Sequence, residues 1–328
     1  MPYKYGLLLL MILLLLSSPI WVQEKVQPSP RESSPQSRER LATKEKVNEP
    51  GRMQTAIPVM PTPTSNTQPT LAPAILPSPT PEWIWNSPGE VIAPILLYHH
   101  IAVRDPPSRY FLSPEVFEDQ MKVLHRWGYT AIPLSLLVQA LVDGAELPPR
   151  SVVITFDDGY RDVFTHAFPI MRRYGFRGVV YVIAGQVGTG KYMKAGELRE
   201  LAEAGWEIGS HSWSHPNLRS QSANLPREIV ESRLKLEELL HSPLETFAFP
   251  YGLTAQYITG LVIDAGYEAA VGLGTSSRHT EKTRYYLSRM EVRSEYDLKQ
   301  FKALLPWSGI PDNGKPLDDD DQPSGLEY

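Results

Sequence analysis

The sequence predicts an α/β fold, a (β/α) barrel of about seven strands behind a long extended leader, and three observations predict it. Short apolar runs alternate with stretches of helical period from residue 91 to residue 305. Those runs lack a polar alternation, as in Ser151-Val152-Val153-Ile154, which is what a parallel sheet covered on both faces requires. The reactive side chains fall directly after the runs: His99, the Asp157-Asp158 pair, His211 and the turn Phe249-Pro250-Tyr251-Gly252. In such barrels the strand ends are the face on which catalytic groups gather. The span is somewhat shorter than the roughly 250 residues of an eight-stranded barrel.

Residues 1–22 contain Lys4, an unbroken apolar run from Leu7 to Leu16, and then Ser17-Ser18-Pro19. A run of this length suits the core of an export signal better than a membrane span, which needs roughly 20 apolar residues. It is read as a signal for secretion; continuation through Pro19-Ile20-Trp21-Val22 leaves an uncleaved membrane anchor as the alternative. Residues 23–90 are polar and rich in Pro, Ser and Thr, as in Pro61-Thr62-Pro63-Thr64 and Pro77-Ser78-Pro79-Thr80-Pro81. Such a stretch buries too little apolar area to offset its ordering entropy, so a disordered spacer is expected.

The folded part is expected over residues 91–305, with Val91 to Leu97 as its first strand, ending at Tyr98-His99-His100. Ser113-Pro114-Glu115 supplies an N-cap, a first-turn proline and a first-turn acid. Phe117, Met121 and Leu124 follow at helical spacing, up to a stop at Gly128. The 151–156 strand then leads to a helix near 161–174, Gly178 to Ile183 is a strand, and a helix near 195–204 precedes the strand at 206–210. Arg227 to His241 is amphipathic, with Glu231 and Lys235 spaced to pair at i, i+4. Strands at 245–249, 267–271 and 287–292, with helices at 255–265 and 296–305, complete the alternation. Residues 306–328 are an acidic tail expected to be disordered. Its acids, Asp312, Asp318 to Asp321 and Glu327, against Lys315, account for the whole formal charge of −5. The folded part is thus near neutral, and nothing in it points to nucleic acid. The chain has no cysteine, which excludes disulfides, zinc–thiolate sites, a cysteine nucleophile and an acylated lipoprotein cysteine.

The chemistry concentrates in two places. Asp157 and Asp158 are adjacent carboxylates at a strand end, and two such groups cannot both ionise cheaply in a partly buried site unless a cation is near. His211-Ser212-Trp213-Ser214-His215 places two imidazoles at i and i+4 after the run Trp206 to Ser210. One aspartate and two histidines, with room for water, have the stoichiometry of a catalytic zinc site.

Thr155-Phe156-Asp157-Asp158-Gly159, His211-Ser212-Trp213-Ser214-His215 and Phe249-Pro250-Tyr251-Gly252, in this order, resemble the motifs of the polysaccharide deacetylase family with the NodB homology domain, carbohydrate esterase family 4. The resemblance covers roughly Val91 to Leu305. It implies a distorted (β/α) barrel, removal of acetyl from N-acetylglucosamine residues of a polysaccharide, and one divalent metal ion, zinc by its donor set. It also implies Asp157 as general base, Asp158, His211 and His215 as metal ligands, and Tyr251 as the residue whose backbone N–H helps to bind the oxyanion.

The chain departs from the family pattern in two respects. Ala248 stands where an arginine is usual, two positions before the proline, and the usual Asp-x-x-Asp-Trp motif is absent. With Leu97-Tyr98-His99-His100 at the start of the domain, this looks like the biofilm-polysaccharide de-N-acetylase subgroup, in which the Leu-x-His motif is moved to the N-terminal side. His99 is then the expected acid for the departing amine, with a nearby carboxylate enlarging its protonated fraction. His100 is its competitor, because strand alternation turns only one of the two inward. Arg289 is the candidate to hold Asp157 ionised in place of the missing arginine, against the plainer reading of an exposed strand arginine.

Trp213 is read as either a wall beside the metal or a core residue, and Tyr160 as either a cleft residue or a lid over the strand end. His125, His166, His241 and His279 are expected to be solvated. The expected partner is an acetylated polysaccharide, reached by a monomer at the cell surface. An O-acetyl esterase, a peptide amidase or a glycan-binding protein without catalysis are the other readings these residues allow.

Overall fold

The computed structural model describes residues 83–311. Seven parallel strands form the staves of a barrel: β1 (Ile95–Tyr98), β2 (Ser151–Phe156), β3 (Val179–Val182), β4 (Glu207–Ser210), β5 (Thr246–Ala248), β6 (Ala269–Val271) and β7 (Met290–Glu291). They lie in the order β6-β5-β4-β3-β2-β1-β7, and an eighth short strand, Thr130–Ala131, pairs with the start of β2. The last strand pairs with the first, Met290 opposite Leu96. Just before β7, Leu287 bridges to Val271 of β6, and its N–H donates to the Ala270 carbonyl at 2.9 Å. The curled sheet is thereby drawn shut through residues 287–291.

Strand alternation sorts the side chains into two cores. Leu96 and Tyr98 of β1, with Val152, Ile154 and Phe156 of β2, face outward and are covered by the helices. Ile95, Val153, Val179, Tyr181, Ala248 and Val271 face inward. A helix absent from the sequence reading, Leu134–Val142, fills this interior from the end where the strands begin, contributing Leu134, Leu137, Val138, Ala140 and Leu141. It escaped notice because it is apolar almost all round, so no amphipathic stripe marks it. Its N-terminus has no side-chain cap of its own; Glu207, at the start of β4, accepts from the Ser135 N–H at 2.8 Å and from the Thr246 hydroxyl at 2.7 Å. A carboxylate there satisfies an orphan donor and complements the helix dipole.

The capping signal at Ser113 works as the residues suggest: Pro114–Arg126 is helical, and the Ser113 hydroxyl accepts from the Val116 N–H. Gly128 ends it with a left-handed φ of +67°, which favours glycine. Several boundaries differ from the sequence reading. The 91–97 run splits at Pro94 into Glu90–Ile92, which pairs antiparallel with Arg278–Thr280, and β1. Order among the described residues begins before 91, since Ile84–Asn86 pairs with Ala145–Leu147. It also extends past 305: the Trp307 carbonyl accepts from the Tyr129 hydroxyl and the Gly309 carbonyl from Arg150. The export segment 1–22, most of the spacer 23–90 and most of the tail 306–328 lie outside the described residues.

The helix expected at 227–241 begins as a π-helical turn, Pro226–Glu231, before Ser232–Leu240. That wider turn rotates Glu231 out of line, and Lys235 pairs with Glu238 instead, at 3.1 Å. Among the described residues no helix is long and apolar enough to cross a membrane.

Truncating the helix that fills the barrel should leave a cavity its neighbours cannot close. Leu137→Ala is expected to cost roughly 2–5 kcal/mol of unfolding free energy. Leu234→Ala, at a position 58% exposed, should stay within about 0.5 kcal/mol. Urea unfolding of the two variants would read the difference, and equal midpoints would refute the buried role of Leu137.

Candidate active site

The β2 strand delivers its aspartates to the end of the barrel in two different ways. Counting by twos from the inward Val153 puts Thr155 and Asp157 on the inner side, and Asp157 is buried. Arg289, itself 1% exposed, grips it with both arms: Nη1 to Oδ1 at 2.6 Å and Nη2 to Oδ2 at 2.8 Å. The same guanidinium donates to the Thr155 hydroxyl at 3.3 Å and, through Nε, to the Gly272 carbonyl at 3.1 Å. Burial alone would raise the Asp157 carboxyl. The Arg289 charge, helped by His211, outweighs it and holds the group well below the usual carboxylate range. Asp158 next turns aside, with a left-handed φ of +72°, and Gly159 continues the turn at +77°.

The two histidines are set by a second loop. The ring of His211 donates through Nδ1 to the Ala248 carbonyl at 2.8 Å, which leaves Nε2 bare and facing the aspartates. Burial, with His215 adding to it, pulls His211 down to about 4 against the pull of Asp157 and Asp158, so the imidazole is neutral at pH 7. The loop carrying His215 is fastened by Glu228, a buried carboxylate that accepts from the N–H groups of Trp213 (3.0 Å) and Ser214 (2.8 Å) and from the Ser214 hydroxyl (2.7 Å). Ser212 adds a bond from the His215 N–H to its own hydroxyl, 2.9 Å. Sequence reasoning passed over Glu228 because an acid in a first helical turn is ordinary.

Asp158, Ser212, His215 and Tyr251 all have positive φ, between +60° and +72°. Non-glycine residues seldom adopt this region, and such strain gathers at functional sites. Here four residues from three separate loops share it around one cleft.

His215 Nε2 lies 3.5 Å, and His211 Nε2 3.7 Å, from Asp158 Oδ1. All three ligand atoms lie within 4.8 Å of one another. Atoms on a tetrahedral ion with bonds of about 2.0–2.1 Å sit roughly 3.4 Å apart, so this buried carboxylate and two imidazoles fit a divalent ion. Asp157 Oδ2 is 3.6 Å from His211 Nε2, adjacent to the group, but both its oxygens are committed to Arg289.

His99 lines the same cleft, its ring 4.7 Å from that of Tyr110. Burial outweighs the pull of Asp157 and Asp158 and lowers its pKa, which corrects the expectation of an enlarged protonated fraction. His100 also borders the cleft, so the expected exclusion of one by the other does not hold. β1 ends at Tyr98, and His100 belongs to a separate short pair with Phe111, where the alternation lapses. Its Nδ1 meets Asp162 Oδ2 at 2.6 Å. Tyr251 is 57% exposed on the cleft, its ring 4.6 Å from His215. Tyr160 lines the cleft, whereas Trp213 packs partly buried against the outer core with the Arg227 guanidinium over its ring. Ala248 faces the barrel interior, and the guanidinium beside Asp157 comes instead from Arg289, just before β7. His125, His166 and His241 are exposed. His279, expected to be solvated, is buried, with Nε2 bonded to the Ala93 carbonyl, because it sits on the strand paired with Glu90–Ile92.

The site thus lies at the strand ends of the barrel and gathers a donor group that fits a divalent ion. Residues 144–270 match the family model described as Polysaccharide deacetylase. The chain is 25% identical over 213 residues to YxkH of Bacillus subtilis, covering 65% of this chain and 75% of that protein. It is 24% identical over 219 residues to the poly-beta-1,6-N-acetyl-D-glucosamine N-deacetylase of Staphylococcus aureus, covering 62% and 74%. The structure of IcaB from Ammonifex degensii superposes with a TM-score of 0.57 at 21% identity, over 68% of this chain and 98% of that one. Residues 144–270 thus carry a polysaccharide deacetylase domain, and the S. aureus likeness supports the permuted biofilm subgroup to which the motifs pointed.

Replacing His211 or His215 by Ala should abolish binding of a divalent ion, measured as metal content after dialysis, whereas Asp157→Asn should retain it. Retention by both histidine variants would refute the ligand set. Glu228→Gln presents an amide where two backbone N–H groups need an acceptor, and is expected to weaken zinc affinity by about 10–100-fold; unchanged affinity would deny Glu228 its part.

Proposed function

We propose that the protein is a metal-dependent hydrolase that removes N-acetyl groups from N-acetylglucosamine residues of a cell-wall or extracellular polysaccharide. One observation carries the reading: a carboxylate held ionised by Arg289 stands beside, and separate from, an Asp/His/His donor group in one cleft. A base and a cation site side by side suit hydrolysis of an acetamide. The S. aureus relative named above, an N-deacetylase, supports the same reaction class.

Asp158, His211 and His215 would hold the ion, zinc by its donor set, and when bound it would polarise the acetamide carbonyl and ease deprotonation of water. Asp157 accepts the proton of the attacking water, a task for which a depressed pKa keeps it ionised. The backbone N–H of Tyr251 steadies the oxygen that gains charge as the carbonyl carbon becomes tetrahedral. The C–N bond then breaks, acetate forms, and His99 donates a proton to the departing amine nitrogen. Its lowered pKa makes each protonated imidazole a stronger acid while reducing how much of it is protonated at rest. The apolar run in residues 1–22 supports an exported protein, free or anchored at the cell surface.

The test compares acetate and free-amine release from poly-β-1,6-N-acetylglucosamine, chitooligosaccharides and peptidoglycan by the zinc-loaded protein. Amine appearing with acetate is expected; acetate without amine would assign an O-acetyl esterase. Asp157→Asn should lose on the order of 10²-fold or more in turnover. His99→Ala should lose turnover more severely than His100→Ala; the reverse order would transfer the acid role to His100. Removing the guanidinium in Arg289→Gln leaves burial to raise Asp157, so the acid limb of the kcat/KM profile should move to higher pH. An unmoved limb would separate Arg289 from the ionisation of the base.

A further inference from the structure

One wall of the cleft is a column of stacked rings. His100 lies between Phe111, 3.8 Å away and inclined by 14°, and Tyr160, 3.6 Å away and inclined by 16°. Two of its rings carry a cation: the Arg104 guanidinium is 5.0 Å from the Phe111 centroid and Lys191 Nζ is 4.4 Å from that of Tyr160. A second, shorter stack follows the same plan, with Arg109 4.7 Å from the Tyr110 centroid and Tyr110 4.7 Å from His99. All of these residues line the cleft that holds Asp157, Asp158, His211 and His215.

The plan has a consequence for what the wall can recognise. A neutral sugar docks by laying its C–H face on an aromatic ring. Here Phe111 and Tyr160 each have one face against His100 and carry a cation over the ring, so the wall offers N–H donors and positive charge. Among the described residues, Arg104 and Lys191 enter no salt bridge, and Arg109 reaches Glu291 only at 3.6 Å, a carboxylate also paired with Arg293 at 2.8 Å. Four cationic side chains, Arg104, Arg109, Lys191 and Arg289, line the cleft against three carboxylates, Asp157, Asp158 and Glu291, before any divalent ion is added. Such a cleft repels a stretch of free amines and attracts an anion.

We propose that the cleft takes acetylated glycans that carry an anionic group, a carboxylate or a phosphate, on or next to the sugar being deacetylated, and that Arg104, Arg109 and Lys191 bind that group. This rests on the deacetylase reading above and names its substrate class. Arg104 and Arg109 present planar guanidinium forks suited to either oxyanion, and Lys191 adds a point charge from beside Tyr160.

The experiment measures kcat/KM of the zinc-loaded protein on three oligosaccharides of equal length and acetylation: one neutral, one with carboxylates, one with phosphates, each at low and high salt. Binding of the same three is measured by calorimetry. The anionic substrates should be favoured by about tenfold, through KM, with the advantage shrinking as salt rises. The arm with the larger ratio identifies the group. The double variant Arg104→Gln with Lys191→Gln should erase the preference, and Arg104→Lys with Lys191→Arg should restore most of it. Equal or better use of the neutral substrate by the wild type, or a preference that survives the double variant, would overturn the proposal. Should no substrate release acetate, the deacetylase reading fails, while calorimetry still decides the anion site: about tenfold tighter binding of the anionic glycans sustains it and equal binding refutes it.

Discussion

The buried pair between Arg289 and Asp157 is the constraint on which the rest of the site depends. A guanidinium at 1% exposure is tolerated only when its donors are met, and here Asp157, Thr155 and Gly272 meet them. Those partners come from β2 and from the chain just after β6, while the arginine comes from the segment leading into β7. The pair therefore holds together the strands at which the barrel closes, and the carboxylate it fixes is the one that stands beside the donor group for the ion. Breaking it would leave a charge stranded in the interior as well as a carboxylate without orientation.

Around that pair the barrel divides its labour by strand parity. Outward residues pack on helices, inward residues near the strand starts pack on Leu134–Val142, and inward residues at the strand ends line the cleft. The loops leaving those ends do the fine placement. Asp158 and His215 reach one another only because both take a left-handed φ, and Glu228 and the Ala248 carbonyl lock the loop and the ring that follow. The strain is local and is offset by hydrogen bonds made within the same loops.

Much of this was legible in the sequence because it rests on short-range rules. The strand-then-acid and strand-then-histidine spacing, the Ser113 cap and the late arginine could all be read from neighbours in the chain. What escaped was what depends on distant neighbours. Leu134–Val142 is uniformly apolar, so its burial inside the barrel leaves no periodic trace. Glu228 looks like any first-turn acid until the loop it fastens is folded onto it. The π-helical turns at 163–167 and 226–231 shift the helical register in ways a 3.6-residue period does not foresee. His279 was expected to be solvated, and is buried because its strand pairs with residues far away in sequence, around Val91. The ring column of Phe111, His100 and Tyr160 likewise joins three segments that share no spacing rule.

The helix that fills the barrel also governs traffic. With Leu134–Val142 seated in the interior, the cylinder is stoppered at the end where its strands begin, and the cleft is a blind alley with one mouth. A polymer cannot thread through a blind alley. Under the function proposed above, a glycan would instead lie crosswise over the opening and dip one acetamide inward while the flanking sugars remain on the rim. Position along the polymer would then matter less than the ability of a single residue to tilt out of line.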